Sequence, residues 1–266
     1  MPSRSARLLA SAALVAISFA AAGCSTRPSP ETTGSISSAP LPRSEAEWRR
    51  EMDVAGQRYR ANPRDPEAAI RYAQALRAIG QRAQAAAVLE QSAIQNPNSR
   101  PVLGAWGRAL ADNGNFAQAL EVLNRAHTPD QPDWRILSVQ GAVLDQMGRH
   151  QDAQRHYASA LRLVPDEPSV LSNLGLSYAL SKNLREAEVT LRRAAAHPTA
   201  EPKVRQNLAL VIGLQGRFAE AETIARGDLA PEEAAENVAY LRRMLAEQKD
   251  TKKHGRPTPL LPPAGT

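Results

Sequence analysis

The sequence is poor in cysteine and in aromatic residues. Its 266 residues include one cysteine, Cys24, so an internal disulfide scaffold and a cysteine-clustered zinc site are both excluded. Aromatic side chains make up 4% of the chain, so Ala, Leu and Val must fill most of any core. Because alanine favours helix more than any other residue, this composition predicts an all-α protein of closely packed helices.

The sequence also lacks the usual signatures of a catalytic or cofactor site. It contains no P-loop, no dinucleotide-binding glycine turn and no nucleophile elbow. None of the five histidines forms a pair spaced for one metal ion, and His150 and His156 are expected to be solvated. Scattered carboxylates such as Asp112 are expected on solvated helix faces or in i,i+4 pairs. We therefore expect no enzyme activity, no cofactor, no metal and no small-molecule substrate.

The chain carries a formal charge of +6 but no block of consecutive Lys or Arg. This pattern gives no basic stripe of the kind that binds nucleic acid, and nucleic acid is not an expected partner.

The first 23 residues are typical of a secretory signal. Arg4 and Arg7 precede an apolar stretch over residues 8–22, which is too short to span a membrane. The segment Ala21-Ala22-Gly23-Cys24 resembles the lipobox of bacterial lipoproteins, in which the cysteine becomes the acylated first residue, although Ala21 stands where leucine is usual. The alternative is an ordinary signal cleaved near this point, which leaves Cys24 as a free thiol.

Acylation at Cys24 would anchor the protein to a membrane, since each buried methylene contributes about 0.8 kcal/mol. In Gram-negative lipoproteins an Asp after the cysteine favours retention at the inner membrane, and here the residue is Ser25. The resemblance therefore implies the periplasmic face of the outer membrane.

A tether and a capping helix are predicted next. Residues 24–43 hold four prolines, many hydroxyl side chains and few large apolar ones, so they are expected to be disordered. The pattern Ser44-Glu45-Ala46-Glu47 is a capping box, which predicts that a helix begins there. We assign residues 44–63 to an N-terminal capping helix.

An internal period of 34 residues runs through the rest of the chain. It divides the sequence into five units, 66–99, 100–133, 134–167, 168–201 and 202–235. Small residues recur at the eighth and twentieth positions of each unit, where Gly or Ala allows two helices to approach closely. The fifteenth position is Gly in four units and Lys182 in the fourth, and it predicts the end of the first helix.

These residues resemble the tetratricopeptide repeat (TPR) over most of the chain after the tether. The resemblance implies an α-solenoid, a right-handed superhelix of antiparallel helix pairs stabilised by stacking of neighbours. The fifth unit departs from the pattern at Arg205, Ala225 and Asp228, and we interpret this as decay toward the end of the array. A capping helix is predicted over 231–248, overlapping the fifth unit, and residues 249–266 are predicted to be a disordered tail.

In TPR superhelices the first helix of each pair lines the concave side. The positions that face this groove in the family correspond here to a polar and modestly basic set, which we expect to bind a protein partner of acidic character; the alternative for each residue is a merely solvated side chain. The set comprises Arg71, Gln74, Arg77, Arg108, Arg135, Ser138, Asp145, Ser172, Asn173, Leu176, Lys203, Gln206, Asn207 and Leu210.

The whole layout, and above all the closing segment from Asp228 to Met244, resembles the TadD family of lipoproteins from Tad (Flp) pilus assembly systems. That resemblance implies a non-enzymatic outer-membrane scaffold for pilus biogenesis and secretion, acting through the secretin or other pilus-assembly components. The alternative is a generic periplasmic TPR adaptor for cell-wall or envelope-assembly machinery.

Overall fold

A computed structural model describes residues 44–254, with side-chain detail as far as residue 248. The predicted signal, Cys24 and the tether lie outside the described residues. Residues 44–254 form helices and no strand, as the composition predicts. The twelve helices of this part are α1 (Glu45–Ala61), α2 (Pro66–Ala78), α3 (Arg82–Gln95), α4 (Arg100–Asp112), α5 (Phe116–Arg125), α6 (Trp134–Gln146), α7 (His150–Leu163), α8 (Pro168–Leu180), α9 (Leu184–Ala195), α10 (Pro202–Leu214), α11 (Phe218–Ala225) and α12 (Pro231–His254).

The helices from α2 to α11 form five pairs, one for each 34-residue unit. Within each pair a short turn reverses the chain, and one residue of that turn has a left-handed backbone conformation. Gly148, for example, has φ 73°, and Lys182 has φ 66° although it carries a side chain. The departure from glycine in the fourth unit therefore keeps the conformation of the turn and changes only its strain.

Small residues allow the two helices of a pair to pack closely. A Cβ atom added to Gly107 would lie 2.5 Å from Leu123 Cγ, and one added to Gly175 would lie 2.6 Å from Leu191 Cγ. On the second helix of a pair, Ala153 and Ala187 are fully buried. The eighth and twentieth positions of these units are thus contact points between the two helices of a pair.

The stacking of the pairs places the first helices on one face. Each of α2, α4, α6 and α8 approaches the first helix of the following pair, whereas the second helices α3, α5, α7, α9 and α11 do not come within 8 Å of one another between Cα atoms. Neighbouring pairs must therefore be closer on the side of the first helices, and that side is the inner face of the array.

Two further helices cover the ends of the array. In α1 the capping box forms, since Glu47 N donates to Ser44 Oγ at 3.3 Å and Ser44 N donates to Glu47 Oε2 at 2.6 Å. At the other end, Ala234 and Leu241 of α12 are buried. This helix includes residues 249–254, which the sequence assigns to a disordered tail. Within residues 44–254, no helix combines the length and the hydrophobicity needed to cross a bilayer.

Candidate protein-interaction surface

The inner surface is formed by α2, α4, α6, α8 and α10, and every residue of the set predicted for the groove belongs to one of these helices. Their side chains differ in exposure, and the structure separates three groups. The exposed ones are Arg71, Gln74, Arg135, Lys203 and Gln206; the half-buried ones are Arg77, Arg108, Asp145, Asn173, Leu176, Asn207 and Leu210; the buried ones are Ser138 and Ser172.

The first three pairs bring several arginines together on the inner surface. Arg77 of α2 donates from Nε to the carboxylate of Asp112 on α4, which joins two neighbouring pairs. Burial lowers the pKa of Arg108, and the charges of Arg77 and Arg135 lower it further, while Asp112 and Asp133 act in the opposite direction. The guanidinium groups of Arg77 and Arg135 are therefore close enough to repel that of Arg108.

Arg135 has a partner on its own helix. Its guanidinium carbon lies 4.4 Å from the centre of the Trp134 ring, within the range of a cation–π contact. The side chain remains exposed, and its charge is available on the inner surface.

Ser138 and Ser172 do not reach the surface for which they were predicted. Asn173 Nδ2 donates to Ser138 Oγ at 3.2 Å, and Asn207 Nδ2 donates to Ser172 Oγ at 2.9 Å. The two partners of each bond are 35 residues apart in sequence. Each bond therefore joins the first helices of two adjacent pairs. The serines hold the helices together, and the asparagines cover them.

Asp145 is the centre of a half-buried polar cluster between the third and fourth pairs. His150 Nδ1 lies 2.9 Å from its carboxylate, while Ser177 Oγ and Tyr157 Oη donate to it at 2.8 and 3.1 Å. Burial raises the pKa of Asp145, although hydrogen bonds from these three side chains oppose the rise. The expectation that His150 is simply solvated is corrected, since its ring contacts this carboxylate. The cluster contains no serine held by a histidine base, so its geometry fits packing.

One ion pair was missed by sequence reasoning. Arg205 and Asp228, which depart from the apolar pattern of the fifth unit, form a two-point contact in which Arg205 Nε donates to Asp228 Oδ2 at 2.7 Å. The carboxylate side chain is only 7% exposed. The signal was present in the sequence, because two opposite charges stand where the second, third and fourth units have a leucine and an alanine that lie in one apolar cluster.

Metal binding has no support in this part of the chain. Among residues 44–248, no group of three His, Cys, Asp or Glu side chains is arranged to hold a metal ion. The chemistry that the inner surface offers is ionic and hydrogen-bonding contact.

Comparison with known proteins identifies the repeats. Models of the tetratricopeptide repeat match residues 67–99, 103–125 and 204–226. A stretch of 104 residues is 33% identical to the uncharacterized protein y4yS of Sinorhizobium fredii (strain NBRC 101917 / NGR234). The match covers 39% of this chain and 57% of that relative, so the chain spans little more than half the length of the curated relative that it matches.

Solved structures show the same fold. PilW, described as a widely conserved type IV pilus biogenesis factor, gives a TM-score of 0.64 at 15% identity and covers 73% of this chain and 91% of PilW. TTC0263, a thermophilic TPR protein of Thermus thermophilus, gives a TM-score of 0.56 at 23% identity over 69% of this chain and 98% of its own. The chain carries tetratricopeptide repeats and has the α-solenoid fold of a protein-interaction scaffold.

Proposed function

We propose that this protein is a non-enzymatic scaffold of the outer membrane that assists Tad (Flp) pilus biogenesis and secretion by binding the secretin or another assembly component. The observation that carries the proposal is the inner surface itself. The first helices of the five pairs present polar and cationic side chains side by side along a continuous face. A face of this kind can bind a long segment of a partner protein.

Two further observations support a pilus-related role. The order of a lipobox-like Cys24, a Pro/Ser-rich segment, five repeats and the segment from Asp228 to Met244 resembles the TadD lipoproteins. PilW, whose fold is similar, is itself described as a pilus biogenesis factor. At 15% identity that likeness concerns the fold, so the pilus assignment depends on the sequence resemblance.

A lipid anchor fits this role. Acylation of Cys24 would hold the repeats at the periplasmic face, close to a secretin in the same membrane. The Pro/Ser-rich segment before Ser44 would then separate the repeats from the lipid, about 25 Å for a flexible coil of its length.

The test is a chromosomal deletion in the source bacterium, complemented with the parent gene. We expect the deletion to abolish surface Flp pili and to reduce the secretin in outer-membrane fractions, with both restored by the parent gene. Pili are counted by electron microscopy, and the secretin is measured by immunoblot. Normal pili and normal secretin in the deletion strain would contradict the proposal. A defect in cell-wall or envelope integrity instead would favour a generic periplasmic TPR adaptor.

A further inference from the structure

The link between the second and third pairs is longer than the other links between pairs. It comprises eight residues, 126–133, whereas four lie between α3 and α4, four between α7 and α8, and six between α9 and α10. The link contains Pro129 and Pro132, and proline interrupts a helix because it has no amide hydrogen to donate. The preceding helix α5 has ten residues, while α3 and α7 have fourteen each. The second pair therefore offers about one helical turn less to the pair that follows it.

The packing of the second pair against the third is correspondingly less extensive. By the approach of Cα atoms within 8 Å, α5 meets α6 less extensively than α3 meets α4 or α7 meets α8, and α4 with α6 is the least extensive contact between neighbouring first helices. A cavity of about 240 Å³ lies at this junction, lined by Leu120 and Asn124 of α5, Leu144 of α6 and side chains of α7. Side chains that line a cavity lack neighbours on one side and lose dispersion contacts.

Gln140 of α6 is a buried polar residue at an otherwise apolar position. The seventh position of the five units holds Tyr72, Trp106, Gln140, Leu174 and Leu208. Gln140 is 1% exposed, and its Nε2 donates to Asn124 Oδ1 of α5 at 2.8 Å. Its Oε1 is buried and accepts no hydrogen bond from the described residues. Because a buried polar atom without a partner is unfavourable, this side chain weakens the junction at which it lies.

Two more buried polar atoms without a hydrogen-bond partner lie in the link itself. They are Nδ1 of His127 and Oγ1 of Thr128. The described part of the chain has one other side-chain atom in this state, Oγ of Ser92 in α3. Since such groups are rare in folded proteins, their concentration at one junction indicates a boundary that opens more readily than its neighbours.

Polar contacts across the other junctions are stronger or more numerous. An ion pair joins Arg77 of the first pair to Asp112 of the second, and Glu188 of the fourth pair contacts Arg217 of the fifth. The third and fourth pairs are joined by hydrogen bonds to Asp145 and Ser138 from α8. Between helices α4–α5 and helices α6–α7, all of them within residues 44–248, the Gln140–Asn124 bond is the side-chain hydrogen bond that forms, and no ion pair does.

We propose that the junction between the second and third pairs is a hinge. The part from α1 to α5 and the part from α6 to α12 move against each other as two bodies, and residues 126–133 absorb the change in backbone angles. Gln140 keeps this junction loose, because its amide takes the place of the apolar side chain that packs there in the other units. Motion at the hinge changes the curvature of the inner surface between α4 and α6. The inference goes beyond the pilus role and does not depend on it.

The test compares all four junctions with matched pairs of spin labels. The eighteenth position of each unit is exposed near the start of the second helix, and these residues are Ala83, Ala117, Gln151, Arg185 and Ala219. Cysteines at two successive members of this series span one junction. The full chain is used with Cys24→Ala, so that the label attaches only at the two chosen positions. Double electron–electron resonance gives the distribution of distances for each pair.

We expect the distribution for Ala117→Cys with Gln151→Cys to be about twice as broad as those of the other three pairs, or broader, since this pair spans the hinge. The other three pairs should give similar and narrower distributions. Equal widths at all four junctions would overturn the hinge. A broader distribution at another junction would overturn its assignment to residues 126–133.

Gln140→Leu tests the cause of the motion. Leucine restores the apolar side chain of the fourth and fifth units, so the distribution across the second junction should narrow to the width of the others. The matched change Gln74→Leu, at an exposed position of α2, should leave it unchanged. Unchanged width in Gln140→Leu, or equal narrowing by both substitutions, would refute the role of Gln140.

Thermal unfolding checks that the narrowing comes from tighter packing. The melting temperature of Gln140→Leu should be equal to that of the parent or higher, because a buried acceptor without a partner has been removed. A clear decrease would show that the amide supports the fold, and Gln140 would be rejected as the weak point of the junction. Loss of pili on deletion of the gene tests a different claim, since neither result changes the expected widths.

Discussion

At the scale of single residues, the space around a position decides whether a larger side chain is tolerated there. Ala153 is fully buried, while Ala158 is exposed on the same helix. The 34-residue period marks the first as a contact point and leaves the second on the surface.

We expect Ala153→Leu to lower the free energy of unfolding by about 1–3 kcal/mol, because the added volume forces neighbouring side chains out of place. The matched change Ala158→Leu should remain within about 0.5 kcal/mol of the parent. Urea unfolding followed by circular dichroism measures both. Similar losses for the two variants would refute the assignment of the faces.

Charge is the second property that acts at this scale. Arg205 and Asp228 occupy positions where the second, third and fourth units hold leucine and alanine, as at Leu171 and Ala194. The ion pair thus replaces an apolar contact within a single unit, and Asp228 depends on Arg205 to offset its burial.

Removing the arginine alone with Arg205→Leu should destabilise the fold by about 2 kcal/mol, because the Asp228 carboxylate is left buried without its partner. The double variant Arg205→Leu with Asp228→Ala should recover most of this loss by restoring the apolar pair of the other units. Chemical denaturation gives the two differences. A double variant no more stable than the single one would mean that the pair does not act as a unit.

At the scale of elements, the turn inside each pair needs one residue with a positive φ. Glycine provides it in four units, and Lys182 provides it in the fourth at φ 66°. A side chain in this conformation carries a steric penalty of roughly 1–2 kcal/mol, which glycine avoids.

Lys182→Gly is therefore expected to raise the free energy of unfolding by about 1 kcal/mol. The reciprocal change Gly148→Ala, at the equivalent turn of the third unit, should lower it by a similar amount. The shift in melting temperature of each variant checks the sign. A lower melting temperature for Lys182→Gly would show that the lysine side chain contributes more than its strain costs.

Side chains also join the fourth pair to the fifth. Glu188 of α9 contacts Arg192 and Arg217, and Glu220 of α11 contacts the same two arginines. Burial opposes the ionisation of Glu188, but hydrogen bonds from Arg217, Gln215 and Arg192 outweigh it and lower the pKa to about 2.

A carboxylate whose pKa is lower in the folded protein stabilises the fold above the pKa of the unfolded chain, and the benefit disappears as the pH falls through the folded pKa. Glu188→Gln should therefore be less stable than the parent at neutral pH, by about 1 kcal/mol after solvent screening. The difference should shrink from about pH 4.5 toward pH 2. Urea midpoints at several pH values measure it, and a difference independent of pH would exclude the charge as its cause.

At the scale of the whole molecule, stacking creates a surface that no single unit has. The closer approach of the first helices gathers side chains that are more than thirty residues apart in sequence, such as Arg77 with Asp112. The membrane attachment that we propose also belongs to this scale, because it would determine which partners the inner surface meets.

If Cys24 is acylated as we propose, Cys24→Ala should release the protein from the outer-membrane fraction, since the acyl chains would be absent. Fractionation and metabolic palmitate labelling measure the effect, with Ser25→Ala as a control that keeps the cysteine. If the variant remains in the outer membrane and the parent takes up no palmitate, the anchor does not exist.

The sequence by itself determined the fold through its period. Glycine and alanine at fixed positions specify where helices turn and where they touch, because backbone conformation and side-chain volume are local properties. The resemblance to the tetratricopeptide repeat indicated which helices carry the inner surface, and the helix that covers the last pair was predicted separately over 231–248. These features need no knowledge of which side chains meet.

Only the tertiary structure decided which polar groups pair. Asp112 binds Arg77 rather than Arg108 one turn away, Ser138 and Ser172 are covered by asparagines of the next pair, and His150 contacts Asp145. Each choice depends on distances between helices and on which rotamer fits there, and a 34-residue period does not contain those quantities.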